Sequence, residues 1–485
     1  MTNAAPPQIE NLTETLQADL GLQQAQTFWP EDVVSDAIAR LFRQRGNIER
    51  IQLLWDRKRA HELIDGFSED EHREGLDRLR RVLDDNLVIQ RQRDGTPRTF
   101  RPYLPELVTH YRVAVTFREL GRTVIDVLWP DEIKEEIRSV VRGWATRHPL
   151  AFALSPLTIG VSLQPSPPSK LMELLAASAD IQLRQWVDVT VRQDWKTWIR
   201  LTSGLSADEQ LESMTALVSL HLHVALLWRL RLEGESGPAV FLAVAGPNMD
   251  RTCGRAAYNL YRLWGERVYQ ALRRVASDAI ENARSSAPDW RTLNSTRDLA
   301  AWAAAPIKGP QSVSNRFHAL VSTSANSSPL NLHAALVDAL TQAFDTRSGV
   351  VTKVRDFLRN TGRGGGFVGP DAYRARKRYQ LDERALDLLA RLHVNRNPTE
   401  ILSNEEEPMG IDAFLDDLFN RYGFFVTRER EPVRRALSME KARPILRLLP
   451  GDEAMRRNRA ELERRLDDLR LVRRYSDASA ILHVV

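Results

Sequence analysis

Apolar residues recur every three or four positions along most of the chain, a spacing that is typical of amphipathic helices. Three leucines spaced four apart begin the pattern at positions 12, 16 and 20, and residues 332–344 and 411–422 repeat it over longer stretches. Alternating patterns are rare. The best candidate for a buried strand is the apolar run from Ala239 to Ala245. The sequence therefore predicts a mainly α fold.

One predicted helix is more apolar than the others. Ser206 with Glu209 three residues later is a capping box, and the helix that follows runs to about Leu232. It is apolar nearly all round towards its end, which is typical of the centre of a bundle. We therefore expect a central helical bundle in the middle of the chain.

A helix followed by a tight hairpin is predicted over residues 68–101. Ser68 and Glu71 form a second capping box, and leucines follow at helical spacing. Residues 88–90 and 98–101 then predict two strands, and Asp94-Gly95 between them is typical of a hairpin turn. Helix, strand, turn and strand form the second half of a winged helix. Two helices predicted upstream complete such a module.

The same order of elements is predicted at the other end of the chain. Residues 464–468 end a long predicted helix with a sequence similar to residues 80–85, which end the helix of the first module. The short apolar pair 471–472 follows. Tyr475-Ser476-Asp477 is then the turn of the second hairpin. We therefore expect winged-helix-like modules at both ends, around the central helical bundle.

The distribution of prolines suggests where one domain ends and the next begins. Four prolines fall between residues 155 and 169, which is typical of a linker. We predict an N-terminal tail or docking helix at 1–27 and a winged-helix-like module with trailing helices at 28–150. A helical middle domain follows at 151–345, and 346–485 holds a basic glycine-rich loop and the C-terminal winged-helix-like module.

Composition and charge bear on the compartment in which the protein works. The chain has 485 residues, a formal net charge of +4 and a single cysteine, Cys253. One cysteine excludes an internal disulfide and a cysteine-based zinc site, and it suggests a reducing compartment. The most apolar helix is interrupted by histidines and arginines, so we expect no membrane span. We expect a cytoplasmic protein with no membrane partner.

The most biased segment runs from Arg347 to Arg378, where nine basic residues face two acids. It contains the glycine-rich run 362–369, which we interpret as a flexible loop whose bare backbone lets arginines approach phosphates. A mobile, solvated surface loop is the alternative. The side chains predicted to contact nucleic acid here are Arg363, Arg374, Arg376, Lys377 and Arg378, with Tyr373 and Tyr379 for stacking.

The C-terminal module adds a second basic cluster, with eight arginines between residues 456 and 474. An arginine surplus suits a phosphate backbone, so we include Arg464, Arg465, Arg473 and Arg474 among the predicted contacts. The alternative is an exposed helix whose arginines pair with its own acids. The corresponding helix of the first module mixes acids and bases, which favours protein docking at least as much as DNA binding.

Signals for catalysis are weak. Asp194 and Lys196 match the acid-x-lysine pair of a metal-dependent nuclease, with Asp180 or Asp188 as the second carboxylate, but the segment is predicted as helix and that constellation needs strands. His221 and His223, two apart on a helix, point to different faces. We predict no cofactor, no metal site and a non-enzymatic protein.

The sequence from Arg363 through Tyr422-Gly423, with its run of glycines and Arg378-Tyr379, resembles segments of uncharacterised bacterial proteins encoded beside ATPases in multi-gene anti-phage systems. This resemblance implies a cellular context and no particular site. The two-ended layout is also similar to that of kleisin subunits, which bridge an SMC ATPase, although kleisin middles are usually extended.

Three functional hypotheses follow. The first is a nucleic-acid-contacting subunit, for DNA or RNA, of a bacterial multi-protein complex in anti-phage defence. The second is a kleisin-like or docking scaffold for a partner ATPase encoded in the same operon, with no nucleic-acid affinity of its own. The third is the metal-dependent nuclease.

Overall fold

The protein is mainly helical, as a computed structural model shows. The structure describes residues 8–22, 30–46, 52–56, 59, 62, 69–91, 95–103, 120–154, 160–163, 169, 171–173, 180–286, 302, 305–326, 331–347, 349–370, 375–396, 410–474 and 480–482. Among them, helices account for 73% and strands for 6%. The predicted mainly α class is confirmed.

The helices are numbered in chain order. They are α1 (Leu12–Asp19), α2 (Pro30–Phe42), α3 (Glu69–Asn86), α4 (Asp131–Arg147), α5 (Pro149–Leu154), α6 (Ile181–Trp186), α7 (Arg192–Leu201), α8 (Ala207–Leu230), α9 (Arg251–Ser286), α10 (Gln311–Asn326), α11 (Leu332–Phe344), α12 (Val350–Gly364), α13 (Glu383–Val394), α14 (Ile411–Tyr422), α15 (Glu431–Ser438), α16 (Arg443–Leu446) and α17 (Asp452–Asp468). In the described part of the chain, π-helical turns occur at Val124–Leu128 and at Val187–Val191, and the second joins α6 to α7.

The strands are all short. They are β1 (Gln44–Gly46), β2 (Val88–Arg91), β3 (Pro97–Phe100), β4 (Gly160–Ser162), β5 (Val240–Phe241), β6 (Ala243–Val244), β7 (Val368–Gly369), β8 (Arg378–Leu381), β9 (Phe424–Phe425), β10 (Val472–Arg474) and β11 (Ala480–Leu482).

Helix α8 lies at the centre of the protein, as its sequence predicts. The capping box forms, because Ser206 accepts from the Glu209 backbone N–H and the Glu209 carboxylate accepts from the Ser206 backbone N–H. The helix contacts α2, α9 and α12. It is long and apolar enough to cross a membrane, but 78% of its apolar stretch is buried inside the protein. Burial against other helices explains this apolarity.

The apolar run from Ala239 to Ala245 forms two consecutive short strands. Strand β5 pairs in parallel with β9, and β6 pairs in parallel with β8, which is also antiparallel to β7. Each partner strand comes from the last third of the chain. These pairings therefore fasten residues 368–425 to the middle of the protein.

A helix followed by a hairpin is present at both ends. Helix α3 leads into the antiparallel pair β2 and β3, and α17 leads into the antiparallel pair β10 and β11. Within the described residues each hairpin is a two-stranded sheet. Strand β1 pairs with β4, which lies in the segment predicted as a linker. The order of elements is thus as predicted, and the domain boundaries stay a prediction.

The glycine-rich run is packed in the interior, so its interpretation as a flexible loop is wrong. Residues 362–364 are the last residues of α12, and Gly365 and Gly366 form the turn after it. A Cβ at Gly364 would lie 2.4 Å from Pro30 Cγ, and one at Gly365 would lie 2.5 Å from the Phe367 ring. Gly366 has a φ of +79°. Close packing, together with one left-handed turn residue, explains the glycines.

Asn458 ties α17 to the strands beneath it. Its side chain is buried and accepts from the Val244 N–H at 2.9 Å, while its Nδ2 donates to the carbonyls of Leu242 at 2.9 Å and Val426 at 3.0 Å. One amide therefore satisfies three backbone groups of the middle and C-terminal segments.

Replacing Asn458 with alanine should destabilise the fold. Because three buried backbone groups lose their partner, we expect the free energy of unfolding to fall by about 3 kcal/mol. Urea denaturation checks this value. Arg456→Ala, which removes an exposed side chain from the same helix, should change stability by less than about 0.5 kcal/mol. Equal effects of the two substitutions would contradict this role for Asn458.

Candidate nucleic-acid interface

A row of arginines follows one side of α9. Arg251, Arg255, Tyr258, Arg262 and Gly265 repeat at intervals of four and three residues, so they lie on one face of the helix. The three arginines are exposed, and Tyr258 is partly buried. At 1.5 Å per residue the row is about 21 Å long. We call this row, with the two arginines described next, the α9 arginine surface.

Two arginines from other segments join the row. Arg376, just before β8, places its guanidinium 5.8 Å from the centre of the Tyr258 ring. Arg355 of α12 donates from Nε to the Gly265 carbonyl at 2.9 Å. Five arginines from three segments of the sequence are therefore brought together by the contacts of α9 with α12 and β8.

The acids in this region have partners of their own. Glu266 pairs with Arg262 at 3.6 Å, Asp356 pairs with Arg359 at 2.9 Å, and Asp250 pairs with Arg457 at 2.9 Å. In the part of the chain that the structure describes, Arg251 and Arg255 make no ion pair. Within the described residues, the surface thus presents positive charge at Arg251 and Arg255 that no acid neutralises.

Of the side chains predicted from sequence, Arg376 belongs to this surface. Lys377 is partly buried, and its Nζ donates to the Pro370 carbonyl. Burial lowers the pKa of the partly buried Arg378 guanidinium, whose Nε–H is buried and has no acceptor among the described residues. Arg363 is partly buried at the end of α12.

Tyr379 is a correction to the prediction. Its side chain is fully buried, with the His223 ring 5.7 Å away and the Tyr261 ring 5.5 Å away in edge-on contacts. Burial raises the pKa of its hydroxyl well above the usual value. A ring that is enclosed on both sides cannot stack on a base, so its role is in the core.

The C-terminal arginines mostly pair with acids of their own region. Arg464 contacts Glu461 and Asp468, and Arg465 contacts Glu461 and Glu383. This is the alternative that the charge pattern left open, an exposed helix with internal pairs. Arg473 and Arg474 lie in β10. Tyr373 and Arg374 lie outside the described residues.

No protein-family model, curated protein or solved structure matches this chain. The site is therefore interpreted from its geometry and charge alone.

The arginines of α9 are not among the contacts that the sequence predicted. The signal was present, because Arg251, Arg255 and Arg262 sit on the face opposite the apolar stripe with one acid, Glu266, beside them. The predicted contacts were chosen from segments in which arginines are dense along the sequence. The arginines of α9 are recognised instead by their spacing along one face of the helix.

The proposed nuclease residues do not come together. Asp194 is fully buried, whereas Lys196 is half exposed and lies 3.2 Å from Glu132. Asp180 caps α6 and contacts Arg229 and Arg231. Among the described residues no group of three or more histidine, cysteine or acidic side chains could hold a metal ion. His221 and His223 have separate partners, as their spacing predicts.

Asp194 is instead the centre of a buried polar network. Its Oδ2 lies 3.0 Å from His221 Nε2 and accepts from the Tyr422 hydroxyl at 2.8 Å, and its Oδ1 accepts from Arg421 Nη2 at 2.5 Å. Arg396 is 3.6 Å away and also contacts Asp417. The network joins α7 and α8 to α14 and to the end of α13.

The charges of this network determine its protonation. Burial alone would raise the pKa of the Asp194 carboxyl, but Arg421, His221 and Arg396 hold it at about 2. Burial lowers the pKa of His221, against the effect of Asp194. The buried carboxylate thus faces two arginines and an imidazole, so its charge is paired in the interior.

Asp194→Asn should destabilise the protein strongly, because it leaves Arg421 and Arg396 without their shared anion. We expect a loss of about 3–5 kcal/mol in the free energy of unfolding, measured by urea denaturation at pH 7. Asp188→Asn, at an exposed position six residues before Asp194, should change it by less than about 0.5 kcal/mol.

The same substitution should alter the pH dependence of stability. The folded-state pKa of about 2 lies below the ordinary value of 3.8, so the contribution of Asp194 is complete above 3.8 and is lost as the pH falls towards 2. The difference between wild type and Asp194→Asn should therefore shrink over that interval. A constant difference would contradict an ionised Asp194.

Proposed function

We propose that this chain is a non-enzymatic subunit that contacts nucleic acid through the α9 arginine surface. The observation that carries the proposal is that Arg251 and Arg255, on the same face as Arg262 and Arg376, make no ion pair in the described part of the protein. Arginines in this state gain most from phosphate oxygens, which accept from the guanidinium and replace its water.

The dimensions of the surface suit a sugar-phosphate backbone. A row about 21 Å long spans about six phosphates of one strand, at about 3.4 Å each along a duplex. Contacts of this kind release counterions and do not read base identity. We therefore propose binding that depends on salt and little on sequence. The binding titrations described below decide between DNA and RNA.

The complex in which this chain works is also a proposal. The resemblance of residues 363–423 to components of anti-phage systems supports a place in a bacterial defence complex beside an ATPase. We propose further that the helix and hairpin at each end are winged-helix-like modules. Helix α17 contacts α9, so the C-terminal module would support the arginine surface and add few phosphate contacts of its own.

A docking scaffold for a partner ATPase is the second candidate. It is favoured by exposed apolar side chains near the π-helical turn, since Ile181 is 73% exposed and Val189 is 56% exposed. Exposed aliphatic side chains of this size are typical of interaction surfaces when they cluster. Co-purification with an ATPase encoded beside this chain, and no affinity for nucleic acid at low salt, would favour this candidate.

Removing the charges of the α9 arginine surface should weaken nucleic-acid binding. For Arg251→Gln/Arg255→Gln/Arg376→Gln we expect at least an approximately tenfold weaker affinity for duplex DNA at moderate salt. The slope of log affinity against log salt should fall by about 2–3, since each phosphate contact contributes about 0.9. Titration of labelled duplex and single-stranded DNA and RNA across salt concentration measures both quantities.

A matched pair of single variants provides the control. Arg255→Gln and Arg274→Gln remove the same charge from the same helix, but Arg274 is exposed on a different face. Only Arg255→Gln should lower the slope, by about one. Equal effects would mean that net charge alone governs binding, and absence of binding by the wild-type protein at low salt would overturn the proposal.

A further inference from the structure

A cavity of about 200 Å³ lies between the end of α8, the loop before β5, and helices α14 to α16. Trp228, Phe419, Met439 and Ile445 line it, and the chain from Glu235 to Ala239 closes one side. Arg231 covers the Trp228 ring, with its guanidinium 4.7 Å from the ring centre. The walls are therefore mostly apolar, and one of them is aromatic.

Most charges beside the cavity are already neutralised. Glu235 receives two hydrogen bonds from Arg267, at 2.6 and 2.8 Å, and the Arg421 guanidinium is directed to Asp194. Lys441 is different, because it is exposed at the cavity and makes no ion pair within the described part of the chain. The cavity thus carries one uncompensated positive charge.

A second donor lies in the same wall. The indole N–H of Trp228 is buried, and the described residues offer it no acceptor. A buried donor without a partner costs free energy that an acceptor on a ligand would restore. Lysine and indole are both donors, so the polar part of a matching ligand must accept hydrogen bonds.

We propose that this cavity binds a small aromatic carboxylate. An apolar cavity of about 150 Å³ is large enough for benzene, so this one has room for a single ring and a short acidic group. The ring would lie against Trp228, Phe419 and Met439, and the carboxylate would accept from Lys441. A ligand of this size binds with a dissociation constant on the order of 0.1–1 mM.

The charge of the ligand is tested with three probes of similar size. Phenylacetate, phenylacetamide and phenethylamine share a phenyl ring and a two-carbon arm with a polar end, but are anionic, neutral and cationic. Isothermal titration and ligand-observed NMR with the full chain should show saturable binding of phenylacetate, weaker binding of the amide and none of the amine. Equal or tighter binding of phenethylamine, or no phenylacetate binding up to about 10 mM, would overturn the proposal.

The location is tested with variants. Ala436→Trp fills the cavity from a partly exposed position and should abolish binding, whereas Ala460→Trp, on the exposed face of α17, should bind phenylacetate as the wild type does. Lys441→Gln should weaken phenylacetate binding by about threefold and leave phenylacetamide unchanged.

A further variant keeps the location testable if Ala436→Trp does not fold. Met439 is 40% exposed at the cavity, so Met439→Glu should fold normally and, by repulsion, weaken phenylacetate binding by at least about threefold. Retained binding in both Ala436→Trp and Met439→Glu would place the ligand elsewhere. DNA binding by these variants should not change, so failure here is distinguishable from failure of the α9 arginine surface.

Discussion

The fold depends on one buried carboxylate. Asp194 is fully enclosed, and an ion in the protein interior is tolerated only with close partners of opposite charge and good hydrogen bonds. Those partners, Arg421, Tyr422 and Arg396, come from a segment more than 200 residues later in the chain. The middle of the protein and its C-terminal third must therefore assemble together. The short parallel strand pairs β5 with β9 and β6 with β8 impose the same requirement.

A local irregularity of the helix makes this arrangement possible. The π-helical turn Val187–Val191 lies just before Asp194, and the Thr190 carbonyl within it accepts from Arg421 Nη2 at 3.0 Å. A π turn inserts one residue into the helix and leaves a carbonyl outside the regular ladder, and such turns often occur at special sites. Val189, within the same π turn, is exposed to solvent.

The sequence predicted the features that depend on neighbouring residues. The helices 332–344 and 411–422 have the bounds that periodicity gives, and the capping box at Ser206 forms as expected. The glycine-rich run failed because its meaning depends on distant contacts. Glycines are needed both in a mobile loop and where chains pack closely, and only the approach of Pro30 and Phe367 distinguishes the two.

Helix-face spacing in the sequence could have located the α9 arginine surface, but the local density of arginine did not. Arginine is abundant throughout the chain, so its local density says little until each guanidinium is assigned a partner. In α17 the acids lie three or four residues from the arginines, and pairing within the helix neutralises much of the cluster. In the first turns of α9 no acid stands at those spacings from Arg251 or Arg255. Sequence spacing contains this information, whereas a count of charges discards it.

Contacts of α17 with the start of α9 also bear on the proposed nucleic-acid interface. Arg457 pairs with Asp250 at 2.9 Å, directly before α9, and Cys253 donates from Sγ to the Ala454 carbonyl at 3.3 Å. These contacts hold the first turn of α9, where Arg251 and Arg255 lie. Loosening them would lower affinity by misplacing the arginines while leaving the number of phosphate contacts in the bound state unchanged. A substitution that lowers the affinity but not the slope of log affinity against log salt therefore marks a residue that supports the arginine surface. A substitution that lowers both marks a residue that contacts phosphates.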